Sequence, residues 1–222
     1  MSVNYHAFQS RGVLFEECEA VSAQWRSAFA GYDPKRIAGI LNLEADETCL
    51  WVPYFGETYR LRLKDGWLEK KAGDTWTEEL YFNESMAVYH VLQYTKDHPA
   101  HAGVWVASSS IDGVVSRNPK APDPLLAPFA KQWTGKAEEL AKRCIRLGGK
   151  PLQKGDAAFQ FQALPGVELQ MIFWDADEDF AAQAQFLVDQ RVTDFIHYET
   201  VGCMISDLME KIDQVEKKGN KT

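Results

Sequence analysis

The 222-residue chain is 45% hydrophobic and 12% aromatic, enough to bury one sizeable core, which excludes a disordered chain. Its formal charge of -8 argues against nucleic acid or an anionic membrane surface as a partner, because both draw affinity from clustered Lys and Arg. The opening residues lack the basic, long apolar and small-residue pattern of a leader, and no window approaches the roughly 18 apolar residues of a bilayer span, so a soluble cytoplasmic protein is expected.

Leu14, Cys18, Val21, Trp25 and Phe29 recur at helical spacing and predict an amphipathic helix through the first thirty residues, ended by Gly31 and Asp33-Pro34. A short helix over 34–41 follows. The period then changes to two: Tyr59, Leu61 and Leu63 oppose Arg60, Arg62 and Lys64, and Asp65-Gly66 predicts a two-residue hairpin turn into Trp67-Leu68. Asn83 is the expected N-cap of a helix carrying Met86, Tyr89, Val91 and Leu92, which fails at Pro99.

A short strand is expected in Val104–Ile111, and the Pro-rich stretch 117–128 reads as a surface connection, the only place where two lobes of the chain would meet. Thr134 is the expected cap of a helix with the stripe Ala137, Leu140, Ala141, Cys144 and Leu147, stopped by Gly148-Gly149. Phe159 and Phe161 then alternate with glutamines, Pro165-Gly166 turns the chain, and Val167, Leu169, Met171 and Phe173 alternate with Glu168 and Gln170. At Ile172 and Trp174 the polar face becomes apolar, so the strand end is expected to be covered on both sides. The last helix, about 198–215, carries Val201, Met204, Ile205, Leu208 and Ile212 on one stripe, and 216–222 reads as a solvated tail. These elements give a single α+β domain over 1–222, with antiparallel sheet built from two hairpin regions and packed by N-terminal, central and C-terminal helices.

The chemical signals are few. Asp175, Asp177 and Asp179 reproduce the start of a calcium-binding loop, yet Phe180 stands where the turning Gly belongs and Phe186 where the bidentate Glu belongs. An acidic turn with its charges in water is the simpler reading. The alternative is that Trp174 and Phe180 partly dry the carboxylates, which would raise their pKa values and fit them for binding or acid–base work. His98 and His101 read as a wet loop pair, whereas His197, after Phe195-Ile196 and before Glu199, reads as a partly covered imidazole near a carboxylate. Cys18, Cys49, Cys144 and Cys203 are too far apart in sequence for the usual metal-ligand pairs and read as separate reduced thiols. No G-x-S-x-G surrounds Ser108 to Ser110, and Gly148-Gly149-Lys150 runs into Pro151, not the Ser or Thr of a phosphate-binding loop.

Gly155-Asp156, Leu164-Pro165, Trp174 followed by Asp177-Glu178-Asp179-Phe180, then Asp189, and Glu199 at the head of the last helix occur in an order that resembles a prokaryotic family common in anaerobes, catalogued as domain of unknown function thirty-seven eighty-six. "DPKRIAGILNLE" and "VPYFGETYRLRLKDG" resemble the first half of that family. The chain departs from the family pattern at Ala176, Ala181 and Thr200, where Gly, Pro and an acid are usual. The resemblance brings no activity with it. It implies a context in anaerobic one-carbon or corrinoid metabolism, because some members carry an additional domain like that of corrinoid iron–sulfur proteins. The sequence therefore points to a binding or accessory protein whose small ligand or protein partner meets Trp174, Asp177, Glu178, Asp179, Phe180, Asp189, His197 and Glu199, with a corrinoid or a divalent metal as ligand hypotheses. The second expectation is an enzyme using Asp177 or Glu178 as general base, with or without a metal.

Overall fold

A computed structural model describes residues 12–111 and 124–215 of the chain. Its first helix is shorter than the periodicity predicts: a 3-10 turn at Phe15–Glu17 precedes α1 (Glu19–Phe29), because Cys18 leaves helical geometry at φ -96 and ψ 56. α2 (Lys35–Leu41) follows Pro34 and ends at Asn42 in the left-handed region.

Four antiparallel strands then form a meander in the order β1 (Cys49–Tyr54), β2 (Glu57–Arg62), β3 (Leu68–Ala72) and β4 (Thr75–Thr77). The β1–β2 connection is the two-residue turn Phe55-Gly56, with φ of 46 and 77 degrees. Phenylalanine in that region costs on the order of 1 kcal/mol. Its N–H donates to the Ala163 carbonyl at 2.9 Å, and its ring lies 4.8 Å from that of Tyr54, so packing and a bond between the sheets hold it there.

The turn expected at Asp65-Gly66 differs from the prediction. Arg62 and Trp67 close a four-residue loop, with the Arg62 N–H donating to the Trp67 carbonyl at 2.8 Å and Gly66 at φ +70. A Cβ at Gly66 would overlap the Arg26 carbonyl oxygen on α1, a tertiary contact invisible in local composition.

α3 (Phe82–Tyr94) starts one residue before the expected cap, and Asn83 lies buried inside it. The carboxylate of Glu84 accepts the Tyr81 N–H at 2.8 Å instead, and the helix ends well before Pro99. After β5 (Trp105–Ala107), α4 (Leu126–Gln132) and α5 (Ala137–Arg146) lie against the second sheet. Thr134 does not cap α5: its hydroxyl donates to the Ala130 carbonyl of α4 at 3.3 Å, and Lys136 occupies the cap position. Part of the Pro-rich stretch, 117–123, and the tail at 216–222 lie outside the described residues.

The second sheet is antiparallel in the order β5, β9 (Gln183–Asp189), β8 (Val167–Trp174), β7 (Ala157–Leu164), β6 (Lys150–Pro151). The Pro165-Gly166 hairpin forms as predicted, whereas β9 had no clear signal in the sequence. Residues of both sheets and of helices α1 to α6 meet in one apolar core, including Phe29, Tyr54, Leu61, Leu92, Leu140, Phe173 and Met204. α6 (Tyr198–Gln214) packs on α3 and α5 and buries the predicted stripe. The architecture is α+β, and no helix among the described residues is long and apolar enough to cross a membrane.

Candidate functional site

The residues singled out in the sequence are divided between the two ends of the second sheet. Trp174 pairs with Gln183 at the start of β9, whereas Asp189 closes that strand, roughly 20 Å away at about 3.3 Å per residue. At the first end, cover on the second face of β8 stops at Ile172, which packs with Ala158 and Leu187 in a small satellite cluster. Trp174 is 39% exposed and Phe180 66% exposed, and Asp177, Glu178 and Asp179 all stand in solvent. Among the described residues no element covers the face beyond Ile172, so they do not build the half-dry rim expected there.

The acids of this turn build its backbone. Asp177 accepts the N–H groups of Asp179 at 2.9 Å and Phe180 at 2.7 Å, and Asp175 accepts that of Gly135 at 2.8 Å. The Arg191 guanidinium is held by Asp194 at 2.6 Å.

At the other end Asp189 accepts the N–H groups of Ala102, Gly103 and Arg191, which outweigh its partial burial and lower its pKa. His197 caps α6 by accepting the Glu199 N–H at 3.4 Å, and its Nδ1 lies 3.5 Å from the Glu199 carboxylate. Burial raises the pKa of Glu199 against the opposing pull of His197. The imidazole belongs to a ring cluster with Tyr198, Tyr94 and the buried His90, whose Nδ1 lies 2.5 Å from the Thr200 hydroxyl. No group of three or more His, Cys, Asp or Glu poised to hold a metal ion occurs among the described residues.

A different set of groups does converge. Alternation puts Glu57 and Tyr59 on one face of β2, and the antiparallel register sets Lys70 of β3 directly opposite Tyr59. α3 brings Asn83 and Glu84 in its first turn, and α6 brings Asp207, Glu210, Lys211 and Gln214, whose spacing places them along one side of the helix. Together with Phe55, Tyr81, Leu147 and Val215 these elements enclose a cavity of about 280 Å³ lined by Glu57, Lys70, Glu84, Asp207, Glu210, Lys211 and Gln214.

The contacts in its wall are dense. Tyr59 donates to Glu84 at 2.5 Å, Lys70 bridges Glu84 at 3.1 Å and Glu57 at 3.0 Å, and Lys211 also pairs with Glu57. Tyr54, at the end of β1, donates to Asp207 at 2.7 Å, and Asn83 also hydrogen-bonds to that carboxylate.

The electrostatics set these groups apart. Asp207 keeps a part of its surface open to the cavity, but protein surrounds it on enough sides that burial pushes its pKa up from 3.8 to about 7, against the opposing bonds from Tyr54 and Asn83. Burial acts in the same direction on Glu57, yet Lys211 and Lys70 outweigh it and hold that carboxylate low. Burial disfavours the Lys70 ammonium, but Glu84 and Glu57 outweigh it, so its pKa is raised. Tyr54 and Tyr59 are pushed well above the ordinary phenol value, chiefly by burial, and stay neutral donors. Burial thus lifts the Asp207 carboxyl toward neutrality while Glu57 is held low and Lys70 high, a combination suited to moving a proton.

A wider surface groove of about 1340 Å³ runs between the α1–α2 connection and the start of the meander, and two of its charged groups are engaged locally. Asp46 is taken up by Thr48 and Cys49, and Arg62 by Asp65 and Glu78. Volume alone does not distinguish that groove.

A family model described as Domain of unknown function (DUF3786) matches residues 33–211. The chain belongs to the DUF3786 family. No match is found among curated proteins, and none among solved structures. The DUF3786 match spans the acidic turn and most of the cavity wall, from Phe55 to Lys211.

Sequence reasoning passed over Asp207. The signal was present: the residue lies three positions beyond Met204 and four beyond Cys203, both buried, so an acid occupies the margin of the apolar stripe of this DUF3786 helix.

Proposed function

We propose that this DUF3786 protein binds a small polar ligand in the cavity between the meander, α3 and α6, and that Asp207 is the group that exchanges a proton with it. The observation that supports this most is the convergence of Glu57, Glu84, Asp207, Lys70 and Lys211 from four separate elements on one small cavity, with Tyr54 and Tyr59 fixing the acids from below. Charged groups partly withdrawn from water carry a desolvation cost, so their convergence on one cavity favours a role beyond stability. The corrinoid connection implied by the family resemblance enters only as context, because a cavity of about 280 Å³ is too small to enclose such a macrocycle. The exposed acids at Asp177 to Asp179 serve as turn builders in this reading.

An NMR-detected screen of small polar metabolites against the full chain tests the proposal. Bound compounds should shift the amides of 54–57, 81–84 and 207–214 and lose their effect in Gln214→Trp, which fills the exposed rim of the cavity. Binding confined to the turn at 174–180, or binding untouched by Gln214→Trp, would refute it.

A further inference from the structure

Resting on that reading of the cavity, we infer that its ligand is a small primary amine, whose ammonium group sits against Asp207 and Glu210 while its aliphatic part lies along Phe55 and Leu147. The charge inventory of the wall carries this. Four carboxylates, Glu57, Glu84, Asp207 and Glu210, face two ammonium groups, Lys70 and Lys211. Both lysines are already committed: Lys70 is clamped between Glu57 and Glu84, and Lys211 pairs with Glu57.

Asp207 and Glu210, one turn apart on α6, have no ion-pair partner among the described residues. Asp207 is bonded to the neutral groups Tyr54 and Asn83, with the Lys211 charge acting on it only from beyond ion-pair distance, and Glu210 accepts from the neutral amide of Gln214 at 2.8 Å. An entering anion would have to pull Lys70 or Lys211 off its carboxylates and would leave those buried charges uncompensated. An entering ammonium supplies what this side of the wall lacks, with charge-assisted bonds to two carboxylates. The ring of Phe55 and the side chains of Leu147 and Val215 offer the apolar strip that a short alkyl stem requires, and the volume is at the low end of small-molecule pockets.

Amine binding gives Asp207 a reason to be charged, so the complex should form with loss of its proton. The test titrates the isotope-labelled full chain with n-butylammonium, butyrate and 1-butanol at pH 8 and pH 6. Butylammonium should shift the amides of 54–57 and 207–214, bind about tenfold more weakly at pH 6, and lose at least tenfold in affinity in Asp207→Asn. Glu210→Gln, at a half-exposed position, should weaken the same probe and provides the check if Asp207→Asn folds poorly. Butyrate or butanol binding in the cavity more tightly than butylammonium would overturn the amine while leaving the cavity as the ligand site. Equal butylammonium affinity in wild type and both variants would also overturn it. No shift with any of the three probes would remove the amine and count against the cavity together.

Discussion

Replacing Asp207 by Asn removes the one carboxylate in the cavity wall that burial holds near neutrality, and the effect on stability can be worked out. In the folded chain Asp207 keeps its proton up to about pH 7, whereas the ordinary value is 3.8. Between those limits the folded state binds more protons than the unfolded one, so this group's contribution makes the protein less stable as pH rises from about 4 to about 7 and is constant beyond. A shift of about three units at about 1.4 kcal/mol each gives a cost of about 4 kcal/mol at pH 8. Asn carries no charge to desolvate, and its Oδ1 can still accept from Tyr54.

The assay is urea denaturation of wild type and Asp207→Asn at pH 5 and pH 8. Taking the difference between the two proteins at each pH cancels the titration of every group they share. The variant should gain roughly 2.5 kcal/mol on wild type between pH 5 and pH 8. An unchanged difference would mean that Asp207 titrates like an exposed carboxylate, and the electrostatic account of the cavity would fall.

Other substitutions test its supports. Tyr59→Phe deletes the buried donor to Glu84 and should cost about 1–3 kcal/mol by denaturant melting, with Lys70 still paired. Lys70→Met should cost more, about 3 kcal/mol or above, because it strips Glu57 and Glu84 of a shared cation. Gly66→Ala forces a left-handed residue against the Arg26 carbonyl and should lower stability by at least about 2 kcal/mol, read as a drop in the thermal midpoint. Asp177→Ala should cost only about 1 kcal/mol and leave cavity binding intact, since it removes turn bonds at an exposed site.

The division between what the sequence revealed and what it concealed follows the range of the interactions. The β7–β8 hairpin was legible because alternation and Pro165-Gly166 are local, and α6 because its stripe repeats over about three turns. Asp65-Gly66 misled because the glycine serves a close approach to α1, not the shortest turn. At Trp174 the contrast of oil and acid was plain in composition, but drying depends on what lies across the sheet, and there the cover ends at Ile172. The cavity was the least legible feature. Its groups come from Glu57 on β2, Lys70 on β3, Glu84 on α3 and Asp207 on α6, each unremarkable in its own segment, and only the fold brings them together.

The most direct measurement is the pH titration of the Asp207 side-chain carboxyl carbon by NMR in the uniformly labelled full chain, with Asp207→Asn supplying the assignment. A midpoint near 7 is the result this account requires. A midpoint near 4 would show a hydrated carboxylate and would contradict it.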